Sequence, residues 1–596
     1  MNQEELNHLR HSAAHLLAAA ILQLYPKAKR AIGPAIENGF YFDFDFGDEK
    51  ISEDDFPRIE QKMHEIVKDW QGFERHELTK EEALKEFKNN PYKRELIEEF
   101  TKNGEKITFY KSGDYWDLCK GGHIDTPKES LKYFKLLSIA GAYWRGDEKN
   151  PMLTRIYATA FPTKQELDDY LTMLSEAKKR DHKKLGKELD LFFFDETSPG
   201  MAYWLPKGLT LYNTLYGFAR TMYAKFSYQE VATPQVNKKE LYETSGHWQH
   251  YREDMFISPM SYLRGDSKEP LEGSEVFGIK PMNCPNAMRI FKHKTRSYRE
   301  LPLRLAETTS LHRFELSGTL NGLFRTRQFR QDDAHSFLED TQIKTEFDNI
   351  LHMIEEIYQP FGLRYKFRFG TKPEKFLGEV KEWDKAEDAL KTSLDASGKE
   401  YYVAPGEGAF YGPKVDILMK DSLGREWQTG TIQLDFQQPR RFGLTYFDAN
   451  GNEKIPVVFH RAIFGSIERF LGILVEHYAG AFPLWLSPVQ VLLLPIADRH
   501  NEYAEKVNQI LHNKGIRSEV DIRPERLQAK IRDATLQKVP FMGIIGDKEM
   551  ETVSSKPETY LTQVKLSVRT REGKDVGQVS VADFLQQLQQ DIDKKI

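Results

Sequence analysis

Leu6, Leu9, Ala13, Leu16, Ala20 and Leu24 recur at spacings of three and four, which predicts an amphipathic helix over the first 25 residues. His11 and His15 are four apart and share a second face, nearly opposite the leucine stripe. Its other members, Ala14, Ala18 and Ala19, are small, so a ligand can approach that side closely. The stretch IGPAIENGFYFDFDF (32–46) predicts short strands around a turn. A second helix starts at Thr163, where Thr163 and Glu166 match a capping box and Leu167, Leu171 and Leu174 supply the apolar stripe. It runs into the lysine-rich AKKRDHKKLGKELD (177–190). Such a run is usually a solvated face; an RNA-facing joint is the sharper expectation. From about 191 to 487 strands and helices mix, with no internal repeat. Beyond that the pattern alternates: VQVLLLPI as a buried strand, a helix ending near Gly515, IRSEVDI, the helix RLQAKIRDATLQK, the strands FMGIIGD and VKLSVRT, and a closing helix capped by Ser580 and Asp583. Alternation of this kind predicts a small α/β domain with a largely parallel sheet.

Length divides this pattern into several cores, since 596 residues suggest about four domains. Lys and Arg total 85 against 90 Asp and Glu, so any RNA surface must be a local patch on a mildly acidic body. No apolar run reaches the roughly 18 residues of a membrane span, and MNQEELNHLR lacks the basic-then-apolar form of a signal peptide. Two cysteines cannot build a disulfide framework, so a cytoplasmic location is expected.

Each cysteine has histidines to join. Cys119 stands in WDLCKGGHID (116–125), four residues before His123, and these two with His11 and His15 make one constellation. Three imidazoles and a thiol suit tetrahedral zinc. They equally suit a metal-free pocket holding a water and an ester. Gly121 and Gly122 would let backbone amides come close to a ligand, and Asp117 could orient a histidine or accept a proton. The second constellation is Cys284 in KPMNCPN, His335 in RQDDAHSF and His460 in VVFHRAIFG. Three N/S ligands with one open position is how catalytic zinc is held, though spacing alone says little when the three lie so far apart.

LHRFELSGTLNGLFRTRQFRQDDAHSF (311–337) resembles motif 2 of a class II aminoacyl-tRNA synthetase, an Arg-x-Glu strand turning through a loop to a second basic strand. HRAIFGSIERFLGIL (460–474) resembles motif 3, and YQEVATPQV (228–236), with Pro234, looks like motif 1. KPMNCP, EGAFYGPK (407–414) and GTIQLDF (430–436) are similar to the threonyl-tRNA synthetase family in particular, and HSAAH with DLCKGGH looks like its editing domain. The resemblance covers nearly the whole chain. It implies a multidomain α/β protein: an α+β editing domain at 1–163, a linker helix at 164–190, a class II antiparallel-sheet catalytic domain at 191–487 and an α/β anticodon-binding domain at 488–596.

The implied reaction is ATP-dependent attachment of L-threonine to tRNA(Thr), with Mg2+ accompanying ATP and hydrolytic editing of Ser-tRNA(Thr). By resemblance, Arg313 holds the α-phosphate and carboxylate, Arg325 reaches the γ-phosphate, and Arg469 clamps from the other side. Lys414 adds a contact, Glu315 reads the adenine amino group, Phe329 stacks under the ring, and Gln428 belongs to the ATP site. One zinc ion per subunit, on Cys284, His335 and His460, would take threonine through its amine and hydroxyl. Valine cannot complete that coordination, whereas an apolar pocket rejects such an isostere only about a hundredfold. Asp333 would bind the ammonium, with Gln331, Tyr411 and Gln433 lining the pocket. Serine lacks only a methyl, worth roughly 1–3 kcal/mol, so a second sieve is needed. That sieve is implied at His11, His15, Cys119 and His123, metal-free, assisted by Lys93 and Asp117, with imidazoles titrating near neutrality as proton shuttles. Glu549 and Arg569 match positions that contact anticodon bases. Motif 1 implies a homodimer, and no membrane partner is expected.

Several residues depart from the family pattern. CPNA stands for the usual CPGH, Phe42 for a tyrosine, CKGGH for CRGPH, and Pro524 for an asparagine that reads the anticodon. The small ubiquitin-like domain that precedes the editing helix in most bacterial relatives is expected to be absent. Two other readings compete: a non-catalytic RNA-binding regulator, which should have lost Arg313, Arg469 or a zinc ligand, and a metallohydrolase built on the N-terminal His/Cys cluster.

Overall fold

The computed structural model describes all residues except 105, 260–274, 422–423, 551–563 and 596. The chain divides into two compact units, Met1–Ser175 and Glu176–Ile596.

In the first unit the helix Gln3–Leu24 lies against an antiparallel sheet in which Gly39–Asp45 pairs with Met152–Phe161, itself paired with Tyr133–Tyr143. Asn2 caps the helix, accepting the Glu5 amide while Glu5 reaches back. The helix is not amphipathic in place. From Ser12 to Ile21 every residue is buried, so the alanine-and-histidine side also faces protein. The histidine side is filled by aromatic rings: His15 lies 5.9 Å from Phe73, 5.6 Å from Tyr115 and 4.6 Å from His123, centroid to centroid. A smaller sheet, Glu74–Glu77, Thr108–Ser112 and Tyr115–Leu118, carries Asp117 and leads into the Cys119 loop. The helix Lys164–Arg180 opens with the Thr163–Glu166 capping box, and Asp181 then caps a separate helix, His182–Glu188.

The second unit is built on an eight-stranded sheet. Its order is Gln229–Glu230, Leu303–Glu307, Asp333–Leu338, Val457–Ala462, Glu426–Asp435, Lys414–Lys420, Arg364–Gly370 and Tyr401–Ala404. The five inner pairings are antiparallel and the two edge pairings parallel. The helices Pro206–Lys225, Ile343–Tyr358, Val380–Ser397 and Ile467–His477 contribute to the large core with this sheet. The segment Arg313–Glu315 lies beyond the strand Ser310–His312 rather than within it, a correction to the motif 2 expectation.

The C-terminal part of this unit has the expected strand–helix alternation, with one difference. Ser518–Val520, Val491–Pro495 and Phe541–Ile545 are parallel, but Lys565–Thr570 and a strand not read from the sequence, Asp575–Ser580, add antiparallel pairs. The sheet is therefore mixed. Arg517 donates to the carbonyls of Trp485 and Ser487, which ties this part of the chain to the segment that precedes it.

Candidate functional site

Cross-strand register assembles the first site. His335 lies opposite His460 on the neighbouring strand, and His460 lies opposite Gln433 on the next. Directly opposed residues share a face of the sheet, so three side chains stand in one row. Asp333 and Asp435 each lie two residues along and join that face. Cys284 comes from elsewhere, at the start of the helix Cys284–Lys292. The ligating atoms of Cys284, His335 and His460 all lie within 4.8 Å of one another, and all three residues are buried.

The donor set fits a metal ion. His335 Nε2 and His460 Nδ1 are buried and lack hydrogen-bond partners. An unpaired buried nitrogen is costly, and two of them beside a thiol are what a bound cation would satisfy. His460 Nε2 lies 2.9 Å from Asp435 Oδ2, which fixes the ring as an Nε2–H donor and leaves Nδ1 as the lone-pair nitrogen. Burial, followed by the charges of Asp333 and Asp435, pushes the Cys284 thiol well up. A metal ion is the group that would return it to thiolate.

Cys284 and His460, with His335 opposite His460 on the neighbouring strand, mark one end of a cavity of about 380 Å³ lined also by Gln331, Asp333, Tyr411, Gln433 and Gln428. The Asn283 amide donates to Asp333 Oδ2 at 3.0 Å, and the Tyr411 hydroxyl donates to Gln433 Oε1. The cavity continues past Arg313, Glu315, Arg325, Phe329 and Arg469. Arg469 donates through Nε to the Phe324 carbonyl at 2.8 Å and through Nη1 to the Gln428 carbonyl at 3.2 Å. Its pKa is lowered by burial and then by Arg313 and Arg325, the signature of gathered positive charge awaiting an anion. Ser466 caps the helix Ile467–His477 by accepting the Arg469 amide, which aims that helix's N-terminus at the same space.

Two expected nucleotide contacts are engaged with each other. Arg325 forms a 2.8 Å ion pair with Glu315. Phe329 is covered by the Arg313 guanidinium, 5.0 Å from its ring centroid. Lys414 does not line the cavity; its ammonium is 3.0 Å from Asp416, which is fully buried and also binds Arg368 and the Gln428 amide.

The sequence reading missed three residues here. Asp332, fully buried, accepts the amides of Ile463 and Gly465 and contacts Arg461, tying motif 2 to motif 3. Asp435 orients His460. His247 lines the cavity, held through Nδ1 by the Ser245 hydroxyl at 2.7 Å, with Nε2 unpaired. The adjacent acids in RQDDAHSF were visible, but only pairing separates a ligand-facing Asp333 from a structural Asp332.

The second site lies in the first unit. Cys119 Sγ is 3.3 Å from His123 Nε2 and 3.5 Å from His11 Nε2. Ser12 Oγ accepts the Ile124 amide and keeps its own proton for His123 Nδ1, 3.2 Å away. His11 Nδ1 faces the Gly122 carbonyl and must be its protonated nitrogen. The partners thus dictate a chain in which His123 Nε2–H donates to the thiol and the thiol donates to His11 Nε2. Gly121 and Gly122 have φ of 100° and 82°, and a Cβ on Gly121 would sit 2.6 Å from the Tyr110 hydroxyl, so the loop requires glycine. His11, His15, Lys93, Asp117, Cys119 and Phe42 line a cavity of about 560 Å³.

Two expectations about this site are corrected. Asp117 does not orient a histidine: it is buried against Lys93 at 2.9 Å, Arg30 at 3.1 Å and the Tyr115 hydroxyl at 3.0 Å. The imidazoles of His123 and His15 do not titrate near neutrality. Burial, with the neighbouring histidines, lowers His123 to about 3 and His15 well below its ordinary value, and burial lowers His11 as well. Burial also raises Cys119 to about 11. All four groups are neutral at pH 7.

In the C-terminal domain Glu549 is buried, not presented to a base. Its carboxylate accepts the Gly546 amide and the Ser567 hydroxyl, each at 2.8 Å. Arg569 is half-buried on the strand Lys565–Thr570, and Pro524 is exposed.

Comparisons agree with this geometry. Residues 269–478 match the tRNA synthetase class II core domain (G, H, P, S and T), 490–591 an anticodon binding domain, and 107–157 the threonyl and alanyl tRNA synthetase second additional domain. A threonine–tRNA ligase of Acetivibrio thermocellus is 48% identical over 98% of this chain and 88% of its own length. The chain belongs to the threonyl-tRNA synthetase family. The ligase of Thermotoga neapolitana is 47% identical over the same shares. Among solved structures, the RNA binding domain of a Cryptosporidium parvum threonyl-tRNA synthetase aligns with a TM-score of 0.63 at 40% identity, covering 69% of this chain and 98% of that one. Family membership accounts for the class II sheet, the anticodon-binding domain and the additional domain around Cys119. Among the described residues, no helix is long and apolar enough to cross a membrane.

Proposed function

We infer that this chain is a class II threonine–tRNA ligase that couples L-threonine to tRNA(Thr) through an adenylate and hydrolyses Ser-tRNA(Thr) at a second site. The observation that carries it is the convergence of Cys284, His335 and His460 at one end of a cavity whose other end gathers Arg313, Arg325 and Arg469. An amino-acid end and a triphosphate end in one cavity are what adenylate formation needs. A non-catalytic regulator has no use for this arrangement, and the full motif set argues against it.

Cys284, His335 and His460 would hold one zinc ion, which supplies Lewis-acid ligation of the threonine amine and hydroxyl. Asp333 would accept a hydrogen bond from that amine, while Gln331, Tyr411 and Gln433 wall the side chain. Arg313 and Arg469 neutralise charge growing on the phosphate oxygens as pyrophosphate leaves, with Mg2+ brought by ATP. ATP entry opens the Glu315–Arg325 pair, turning Glu315 to the adenine amino group and Arg325 to the γ-phosphate. The guanidinium over Phe329 then gives way to the ring. Lys414 acts through Asp416 and Gln428 rather than on a phosphate.

Editing falls to the cavity at His11, His15, Cys119 and His123. Its proton chain suits a positioned water: His11 and His123 are neutral and oppositely tautomerised across the thiol. Cys119, neutral itself, relays a proton instead of attacking the ester. Lys93, held by Asp117, presents its ammonium to the ester or ribose oxygens. We assign residues 1–163 to editing, 164–190 to the linker, 191–487 to synthesis and 488–596 to the anticodon, in a cytoplasmic homodimer. The decisive experiment is threonine-dependent ATP–pyrophosphate exchange with metal analysis. Exchange that requires threonine, with a stoichiometric zinc, is expected; a purified chain that exchanges with no amino acid, or retains no metal, would refute the reading.

A further inference from the structure

The lysine-rich run at 177–190 contains one residue that is neither basic at the surface nor facing RNA. His182 is 1% exposed, and both its ring nitrogens are committed. Nδ1 lies 2.8 Å from Glu476 Oε1, so it carries the proton. Nε2 is therefore the acceptor, and it takes the Leu323 backbone N–H at 3.0 Å. The bond is designed into the loop. Gly322 has φ of +50°, and a Cβ there would fall 2.2 Å from His182 Nε2. Neighbours on the same turn reinforce the grip: Arg180 donates to the His477 carbonyl and Lys183 to Asn321.

The peptide held in this way leads directly into the nucleotide end of the cavity. Phe324 follows Leu323, and its ring lies 4.1 Å from the His182 ring on one side and 4.2 Å from Trp427 on the other. Phe324 lines the cavity, and its carbonyl accepts Arg469 Nε. Arg325, the next residue, is the one assigned to the γ-phosphate. We propose that His182 is the positioning residue for the phosphate-binding loop: its Nε2 lone pair on the Leu323 amide fixes Phe324 and Arg325, and through Phe324 the guanidinium of Arg469. The start of the helix His182–Glu188 is thereby a strut of the ATP site, so a linker residue sets ATP affinity without touching ATP. Threonine, at the opposite end beside Cys284, His335 and His460, lies outside its reach. This inference rests on reading the arginine end of the cavity as the ATP site.

The test is the steady-state exchange reaction of the full-length, metal-loaded chain, with KM measured separately for ATP and threonine. His182→Ala should raise the ATP KM about tenfold, the worth of one buried hydrogen bond, and leave the threonine KM within about twofold. His182→Gln, whose amide oxygen can again accept the Leu323 amide, should recover most of the loss. Gly322→Ala, which displaces the ring without altering it, should reproduce the ATP-selective defect, and it keeps the test open if His182→Ala does not fold. Equal rises in both KM values, wild-type kinetics, or no rescue by glutamine would overturn the proposal. Arg469→Ala separates the two levels of inference. If it raises the ATP KM while the His182 variants do not, only the strut is wrong; if it too leaves ATP binding unchanged, the reading of the site falls first.

Discussion

Asp435 stands one bond behind the metal cluster, and that position decides what its loss should do. It holds the His460 ring through Nε2, so Asp435→Asn keeps the shape but weakens the hold on tautomer and orientation. Removing such a partner typically costs about 10–100-fold in metal affinity. Zinc retention against a chelator should fall by that factor, while Cys284→Ala should abolish stoichiometric zinc and with it the rejection of valine. Retention of zinc by Cys284→Ala would show that the ion lies elsewhere. At the editing site the sign of the pH effect follows from burial. His123 has an ordinary pKa of 6.5 and a folded value near 3, so below pH 6.5 the unfolded chain binds more protons than the folded one. Its contribution is present above pH 6.5 and is lost as pH falls toward 3, by at most about 2 kcal/mol at pH 5. His123→Gln, which cannot protonate, should therefore gain on wild type in unfolding midpoint as the buffer is taken from pH 7 to pH 5. A constant difference would mean that the imidazole is solvated. The residues of the cluster Cys284, His335 and His460 were legible as a resemblance between motifs, because each sits in a local run of distinctive residues. Asp435 and Asp332 were not, since their roles are fixed by partners on other strands.

At the scale of elements, what the sequence hid was pairing. Strand existence follows from local alternation, but the row His335, His460, Gln433 exists only because three strands distant in sequence adopt one register. A shift of one residue would turn each ligand to the opposite face. The first helix shows the same limit. Its histidine side read as polar and open, whereas the fold buries both sides between sheet and loop. Capping was readable and accurate at Thr163 and Ser580, because a cap is made within four residues. Ser466 is a cap with a catalytic consequence. Its hydroxyl accepts the amide of Arg469 itself, so Ser466→Ala should loosen the first turn of the helix Ile467–His477 by about 1 kcal/mol. Exchange activity should drop about tenfold, more than a surface cap would give, because the released turn carries Arg469, proposed above to clamp the phosphates. An unchanged rate would detach that helix from the chemistry.

Across the whole molecule the two sites answer different questions and occur in different compact units. In the proposed reading the synthetic site would test for an amine and a neighbouring hydroxyl, and serine would pass that test. The missing methyl is worth only about 10–200-fold in selection, short of what accurate translation needs. In that reading the remainder comes from hydrolysis after transfer, at the proposed editing cavity. The two functions should therefore separate cleanly by mutation. Cys119→Ala interrupts the chain between His123 and His11, both in the first unit. It should leave threonine activation within about twofold of wild type while slowing Ser-tRNA(Thr) hydrolysis by about a hundredfold, the range of a lost proton-transfer group. The variant should then accumulate Ser-tRNA(Thr) at high serine, where wild type shows none. Cys119→Ser, which restores a donor and acceptor at the same point, should recover part of the rate if the thiol is a relay. If the serine variant is as slow as alanine while wild type forms a trapped thioester, the cysteine is a nucleophile instead, and the neutral proton chain is the wrong account of this pocket.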